Sequence, residues 1–99
     1  MKKLMIGLGV SVLLSSGAAV AGDVAAGKEL ANSCAMCHGE AGVSPMGMFP
    51  NLAGQKKEYL EKQLKAFRDG SRVDPSMNPT AKGLSDADIA NLAAYYSSL

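Results

Sequence analysis

Residues 34–38 read Cys-Ala-Met-Cys-His, and they hold both cysteines and the only histidine of the chain. No other stretch concentrates reactive side chains in this way. Whatever the chain folds into must therefore keep these three groups together. A C-x-x-C pair admits several readings. It can be a redox-active dithiol of the thioredoxin type, part of a zinc site with the histidine, a pair of inert buried thiols, or a point of covalent attachment. The rest of the sequence has to decide among them.

The chain has 99 residues, room for one domain at most. Its start is not read as part of that domain. Lys2 and Lys3 form a basic n-region, Leu4 to Leu14 an apolar stretch, and Ala19-Val20-Ala21 a small-x-small cleavage site. This is the layout of a secretory signal peptide over residues 1–21, with cleavage after Ala21. The apolar run is short of the roughly 20 residues that a membrane span needs. Retention as an anchor is the alternative, and no stable membrane insertion is expected after cleavage. The expected domain is residues 22–99. Loss of Lys2 and Lys3 leaves eight basic residues against nine acidic ones, a net charge of −1. No basic tract points to nucleic acid and no acidic run to a disordered tail.

Export to an oxidising compartment favours disulfides, but a C-x-x-C bridge closes so short a loop that it would constrain the unfolded chain little. A domain of this size also gains little from a single core. With two Phe, three Tyr and no Trp it is short of large apolar side chains. A large apolar prosthetic group would supply the missing volume.

Three helices are expected, and no strand, because alternating apolar and polar patterns are absent. The first runs from about Asp23, a plausible N-cap, to Asn32, with Val24, Gly27, Leu30 and Ala31 on one face. A Gly- and Pro-rich loop follows over about residues 39–54. The second helix, about Gln55 to Asp69, buries Leu60, Leu64 and Phe67 and stops at Gly70. A second loop, SRVDPSMNPTAKGL, brackets Met77 between Pro75 and Pro79. The third helix starts at Ser85, where Asp88 makes a near capping box. Ile89, Leu92, Ala93 and Tyr96 then repeat at helical spacing to the end of the chain.

This frame removes most readings of the motif. Structural zinc wants four ligands, and Cys34, Cys37 and His38 make three, two of them adjacent. A thioredoxin-like enzyme would set its C-x-x-C near a βαβ pattern, which is missing. Inert thiols explain neither the export nor the histidine. Attachment of a c-type haem explains all of it. Cys34 and Cys37, three positions apart, each add to one vinyl group of the macrocycle, and His38 offers its imidazole to the iron.

Four stretches then resemble class I c-type cytochromes: AGKELANSCAMCHG, FPNLAGQKKEYLEKQLKAFRDGSR, DPSMNPTAKGLSD and DIANLAAYYSSL. The likeness is strongest to small bacterial cytochromes c553 and to one half of a dihaem cytochrome c4. Those dihaem proteins carry two C-x-x-C-H motifs and this chain has one, so it resembles a monohaem protein. The resemblance implies an all-α cytochrome c fold: three main helices around one covalent haem c, with the N- and C-terminal helices crossing. Gly27 resembles the small residue at that crossing, and Leu92 and Tyr95 match its other side.

A sixth ligand cannot be a second histidine of the same chain. Thioether ligation suits this class, and the candidates are Met36, Met46, Met48 and Met77. Met36 lies between the attachment cysteines, on the histidine side. Met77 matches the axial methionine of the family, with Met48 as the alternative. Pro50 matches the proline whose carbonyl receives the second ring N–H of the ligating histidine, as metal-bound histidines normally require. Its plain reading is a loop stiffener. Leu52, Phe67 and Leu84 are expected on the haem wall or in ordinary core. Arg72 is expected either at a haem propionate or in solvent.

The resemblance implies a carrier, not an enzyme: one-electron transfer in the bacterial periplasm, from a quinol-oxidising complex to a terminal oxidase or reductase. A haem-bearing subunit of a larger dehydrogenase is the alternative, and a gas-binding sensor with an open sixth site is a third. If the haem is the structural centre, replacing both Cys34 and Cys37 by Ala should abolish accumulation of the protein, because the remaining core is too small to order the chain. Haem staining and circular dichroism of periplasmic extracts check this. A folded, helical double variant would contradict it.

Overall fold

The computed structural model describes residues 22–99; the expected signal peptide lies outside the described residues. Among the described residues the regular elements are all helical, in the order α1 (Val24–Leu30), a 3-10 turn (Ala31–Ser33), α2 (Ala35–His38), α3 (Lys57–Asp69), α4 (Met77–Lys82) and α5 (Asp86–Ser97). This is the expected all-α class.

Local chemistry sets the ends of these elements. Asp23 Oδ1 accepts from Ala25 N at 2.9 Å and from Ala26 N at 3.3 Å, which satisfies two of the free N–H groups that open α1. The helix does not continue unbroken to Asn32 as expected. It tightens at Ala31, where Cys34 N donates to Ala31 O at 2.9 Å, and the Ser33 hydroxyl closes back onto Leu30 O at 3.0 Å. The tightened turn sets the following α2, which carries Cys37 and His38, apart from α1 as a separate helical turn. Gly39 ends α2 at φ 86°, a backbone setting that L side chains rarely adopt.

Helix α3 begins at Lys57, two residues later than expected, and stops at Gly70 in the left-handed region. Gly70 N and Arg72 N both donate to Ala66 O, at 3.0 and 3.1 Å, and so satisfy a carbonyl the helix leaves free. The segment around Met77, expected as loop throughout, contains α4. The two prolines suggested a loop, but Pro79 falls in the first turn of α4, where its missing N–H costs nothing. Helix α5 opens on a full capping box. Asp88 N donates to Ser85 Oγ and Ser85 N to Asp88 Oδ2, both at 3.0 Å.

Helix α5 is the centre of the molecule. It buries Ile89, Ala90, Leu92, Ala93, Tyr95 and Tyr96, so most of its circumference is covered. Leu92, Ala93, Tyr95 and Tyr96 cluster with Ala31 and Leu60, and Leu30, Cys34, Leu52, Leu64 and Leu84 pack against them. The first and last helices meet at Gly27. A Cβ there would sit 1.9 Å from Asn91 O and 2.8 Å from Tyr95 Cβ, so only glycine lets the backbones approach this closely. Asp23 N donates to Asn91 Oδ1 at 2.8 Å across the same contact.

Gly27→Val should therefore force α1 off α5 and destabilise the protein by about 2 kcal/mol or more. Gly47→Ala, with nothing within 4 Å of the added carbon, should stay within about 0.5 kcal/mol of the parent. Urea unfolding of the two variants measures the difference.

Candidate functional site

A cavity of about 540 Å³ lies between α2, α3, α4 and α5. Cys34, Cys37 and His38 open onto it from the start of the chain. Leu60, Leu64 and Phe67 reach it from α3, Met77 and Thr80 from α4, and Leu92 and Tyr96 from α5. Its size is within the range of sites for organic cofactors. A second depression, about 430 Å³, lies against Phe67, Arg68, Val73 and Pro79 and contains neither cysteine, nor His38, nor Met77.

His38 is 8 % exposed, a buried polar side chain that needs a partner. Its Nδ1–H donates to Pro50 O at 2.8 Å. A carbonyl only accepts, so Nδ1 carries a proton, and in the neutral ring the lone pair is then on Nε2. This is the tautomer a metal-ligating histidine needs, with its ring orientation already fixed. The edge of Phe49 flanks the imidazole, ring centroids 6.5 Å apart.

The loop that delivers Pro50 is held by its own hydrogen bonds. Gly42, at φ 76°, turns the chain so that its carbonyl accepts from Leu52 N at 2.7 Å and from Ala53 N at 3.0 Å. Ser44 N donates to Asn51 Oδ1 at 2.6 Å, and Ser44 Oγ donates to Cys37 O at 3.1 Å. Asn51 and Ser44 thus tie the loop to the C-x-x-C-H turn. Neither residue was singled out in the sequence.

Cys34 and Cys37 are both free thiols and both partly buried. Burial pushes the Cys34 thiol up from its ordinary range, a larger effect than the nearby Tyr96 and Ser33 side chains, which lower it. Cys34 is thus held as an uncharged thiol between the core and the cavity.

Met77 and Met48 both line the cavity, but they are held differently. Met48 is 77 % exposed and Met36, on the far side of the cysteine turn, 82 %. Met77 is half-buried at the first position of α4. Asp74 Oδ2 accepts from Met77 N at 2.8 Å and from Ser76 N at 2.9 Å. Asn78 Nδ2 donates to Phe67 O and to Arg72 O, both at 2.8 Å, and Asn78 Oδ1 accepts from Asp74 N at 2.7 Å. Asp74 and Asn78 are the residues the sequence reading missed. The D-x-x-M-N spacing is the signal: an Asp three positions ahead of a helix start is a local cap.

Leu52, Phe67, Arg72 and Pro50 line the cavity. Arg72 NH1 donates to Gln63 Oε1 at 2.7 Å, and its guanidinium lies 4.6 Å from the centroid of the Phe67 ring. Leu84 follows the ordinary-core reading of the two offered for it. It does not line the cavity and packs instead on the cluster around Leu92 and Tyr95, where its carbonyl accepts from Arg68 NH1 at 3.2 Å. It follows α4, a helix the sequence reading did not include, and that turn carries it away from the cavity.

The donor set fits a covalent haem c. Two free thiols, an imidazole with a free Nε2 lone pair and a thioether share one apolar-walled cavity, and these are the groups such a macrocycle and its iron require.

Known proteins match this arrangement. The chain is 51 % identical over 81 residues to cytochrome c-554(548) of Halomonas halodenitrificans, covering 79 % of this chain and 98 % of that one. It is 44 % identical over 98 residues to cytochrome c4 of Pseudomonas aeruginosa, and there it spans 49 % of the relative's length. Among solved structures, cytochrome c4 of Acidithiobacillus ferrooxidans superposes with a TM-score of 0.76 at 36 % identity, over 83 % of this chain and 53 % of that one. The family model described as cytochrome c matches residues 24–99, and with these relatives it establishes that the chain belongs to the cytochrome c family.

Proposed function

We propose that this chain is a periplasmic one-electron carrier in which His38 and Met77 ligate the iron of a haem c bound through Cys34 and Cys37. The iron of such a group takes up and releases single electrons. The observation that carries the reading is the His38–Pro50 hydrogen bond of 2.8 Å, which leaves Nε2 as the free donor atom of a fixed ring.

Each side chain then has a definite task. Cys34 and Cys37 hold the macrocycle through thioether bonds, each formed by addition of S–H across a vinyl double bond with no net oxidation. His38 presents Nε2, and Pro50 keeps the ring from turning. Met77 presents a thioether sulfur, a ligand that raises the reduction potential. Leu52, Leu60, Leu64 and Phe67 exclude water from the cavity, and an apolar wall disfavours the more positive oxidised state in the same sense. Arg72, already anchored on Gln63 and Phe67, has N–H groups left for a propionate.

Partners follow as part of the proposal: a quinol-oxidising complex as donor and a terminal oxidase or reductase as acceptor. The exposed side chains of Met46 and Met48, in the loop that carries Pro50, supply an apolar contact surface for a brief encounter. No helix among the described residues is long and apolar enough to cross a membrane. Export through residues 1–21, with cleavage after Ala21, accounts for the periplasmic site.

The ligand assignment is tested by substitution. Met77→Ala should keep the haem attached, because attachment depends on the cysteines. It should lose the thioether-to-iron charge-transfer band, bind carbon monoxide and show a lower potential. Met48→Ala should show none of these changes. The opposite pattern would move the ligand to Met48.

Asn78→Ala removes the three hydrogen bonds that fix the Met77 turn. It should cost about 1–3 kcal/mol of stability. It should also admit carbon monoxide slowly with Met77 still in place. Denaturant unfolding and carbon monoxide binding kinetics on the same sample read both effects.

A further inference from the structure

Tyr96 lies on α5 and is 3 % exposed. Its hydroxyl is a buried side-chain polar atom without a hydrogen-bond partner, unlike that of Tyr95, which reaches Glu40 O at 3.5 Å. An unsatisfied buried hydroxyl is costly, and such groups in a folded protein call for an explanation. The ring has little room to swing toward solvent. Its backbone carbonyl accepts from Gly54 N at 2.9 Å, and the turn at Gly42 packs against its edge so closely that a Cβ there would lie 3.0 Å from Cδ1.

The group beside the hydroxyl is Cys34. Both residues line the cavity, and Cys34 packs on the cluster to which Tyr96 belongs. Desolvation, reinforced by the neighbouring Cys34, pushes the Tyr96 hydroxyl well above its ordinary range, so it remains an O–H donor at any working pH. A free thiol is itself a donor as well as a weak acceptor. A thioether sulfur has lost its S–H and can only accept. Covalent attachment at Cys34 therefore leaves a sulfur that can only accept next to a buried hydroxyl that donates and has no other partner.

We propose that Tyr96 is a positioning residue for the attached macrocycle: its hydroxyl donates a hydrogen bond to the thioether sulfur of Cys34, fixing that sulfur's orientation and setting the positive end of the O–H dipole against the attached edge. This rests on the haem reading above. Its consequence is electrostatic as well as steric, since a positive dipole end at the ring edge favours the reduced state.

The test uses holoprotein from a host that attaches haem, with both thioether bonds verified by mass and by the pyridine haemochrome spectrum. In the reduced, diamagnetic protein the Tyr96 hydroxyl proton should appear in NMR spectra as a slowly exchanging resonance with a nuclear Overhauser contact to the Cys34 β-protons. Tyr96→Phe should remove that resonance and leave the Met77 charge-transfer band in place. It should also shift the redox equilibrium about twofold toward the oxidised state, as expected for loss of part of one weak hydrogen bond. A hydroxyl proton that exchanges freely, or that contacts a bound water instead of Cys34, overturns the proposal, as does an unchanged potential in Tyr96→Phe. If that variant does not accumulate, the spectrum of the parent protein decides alone. A chain that carries no haem at all would overturn the functional reading instead, so the two failures are told apart.

Discussion

The bond from His38 Nδ1 to Pro50 O orients the imidazole, and the rest of the site is arranged around it. A buried imidazole without that acceptor would be free to rotate or to change tautomer, and either would withdraw the Nε2 lone pair from the cavity. The carbonyl is in place because the Gly42 turn, Asn51 and Ser44 give the intervening loop one shape and fasten it to the Cys37 carbonyl. The irregular part of this small protein is therefore as constrained as its helices, and for a chemical reason.

The core has a corresponding division of labour. On one side of α5, Asn91 and Tyr95 close against the first helix, down to backbone contact at Gly27. On the other side, Leu60, Leu64 and Phe67 of α3 face the cavity. Leu60 and Leu64 pack on the core cluster as well, while Phe67 is left partly uncovered at the cavity. A chain of this size seldom stabilises itself with so little packed interior, and a covalently held apolar macrocycle supplies the missing contact area.

Much of this was legible in the sequence because the chemistry involved is local. The C-x-x-C-H run, the Asp23 and Ser85 caps and the Gly70 stop each depend on residue type at a fixed spacing, and the caps and the stop lie where the spacing put them. The Gly27 contact was implied by the family resemblance alone. Helix α4 was hidden because Pro79 argues against a helix everywhere except in a first turn, and the sequence does not say which turn it occupies. Leu84 was left between the haem wall and ordinary core for the same reason, since its direction depends on that helix, and it packs against the core cluster. Asp74, Asn78, Ser44 and Asn51 were hidden differently. Asp74 bonds backbone N–H groups two and three positions on, a local signal hidden only because α4 was not expected. The partners of Asn78, Ser44 and Asn51 include backbone atoms six to eleven positions away that only the assembled fold brings near.

The contact between α1 and α5 also fixes an order of events. Asp23 and Asn91 are 68 positions apart, and the pocket face that includes Leu92 and Tyr96 belongs to the last helix of the chain. Loop-closure entropy must be overcome before contacts of such separation contribute. A chain emerging from its amino end can form the cysteine turn early, but it cannot cover that turn until the carboxy-terminal helix has arrived and docked. Until then Cys34 and Cys37 remain open to reaction. The length of chain between Cys37 and Leu92 thus acts as a delay that keeps the thiols accessible during the interval in which they must be used.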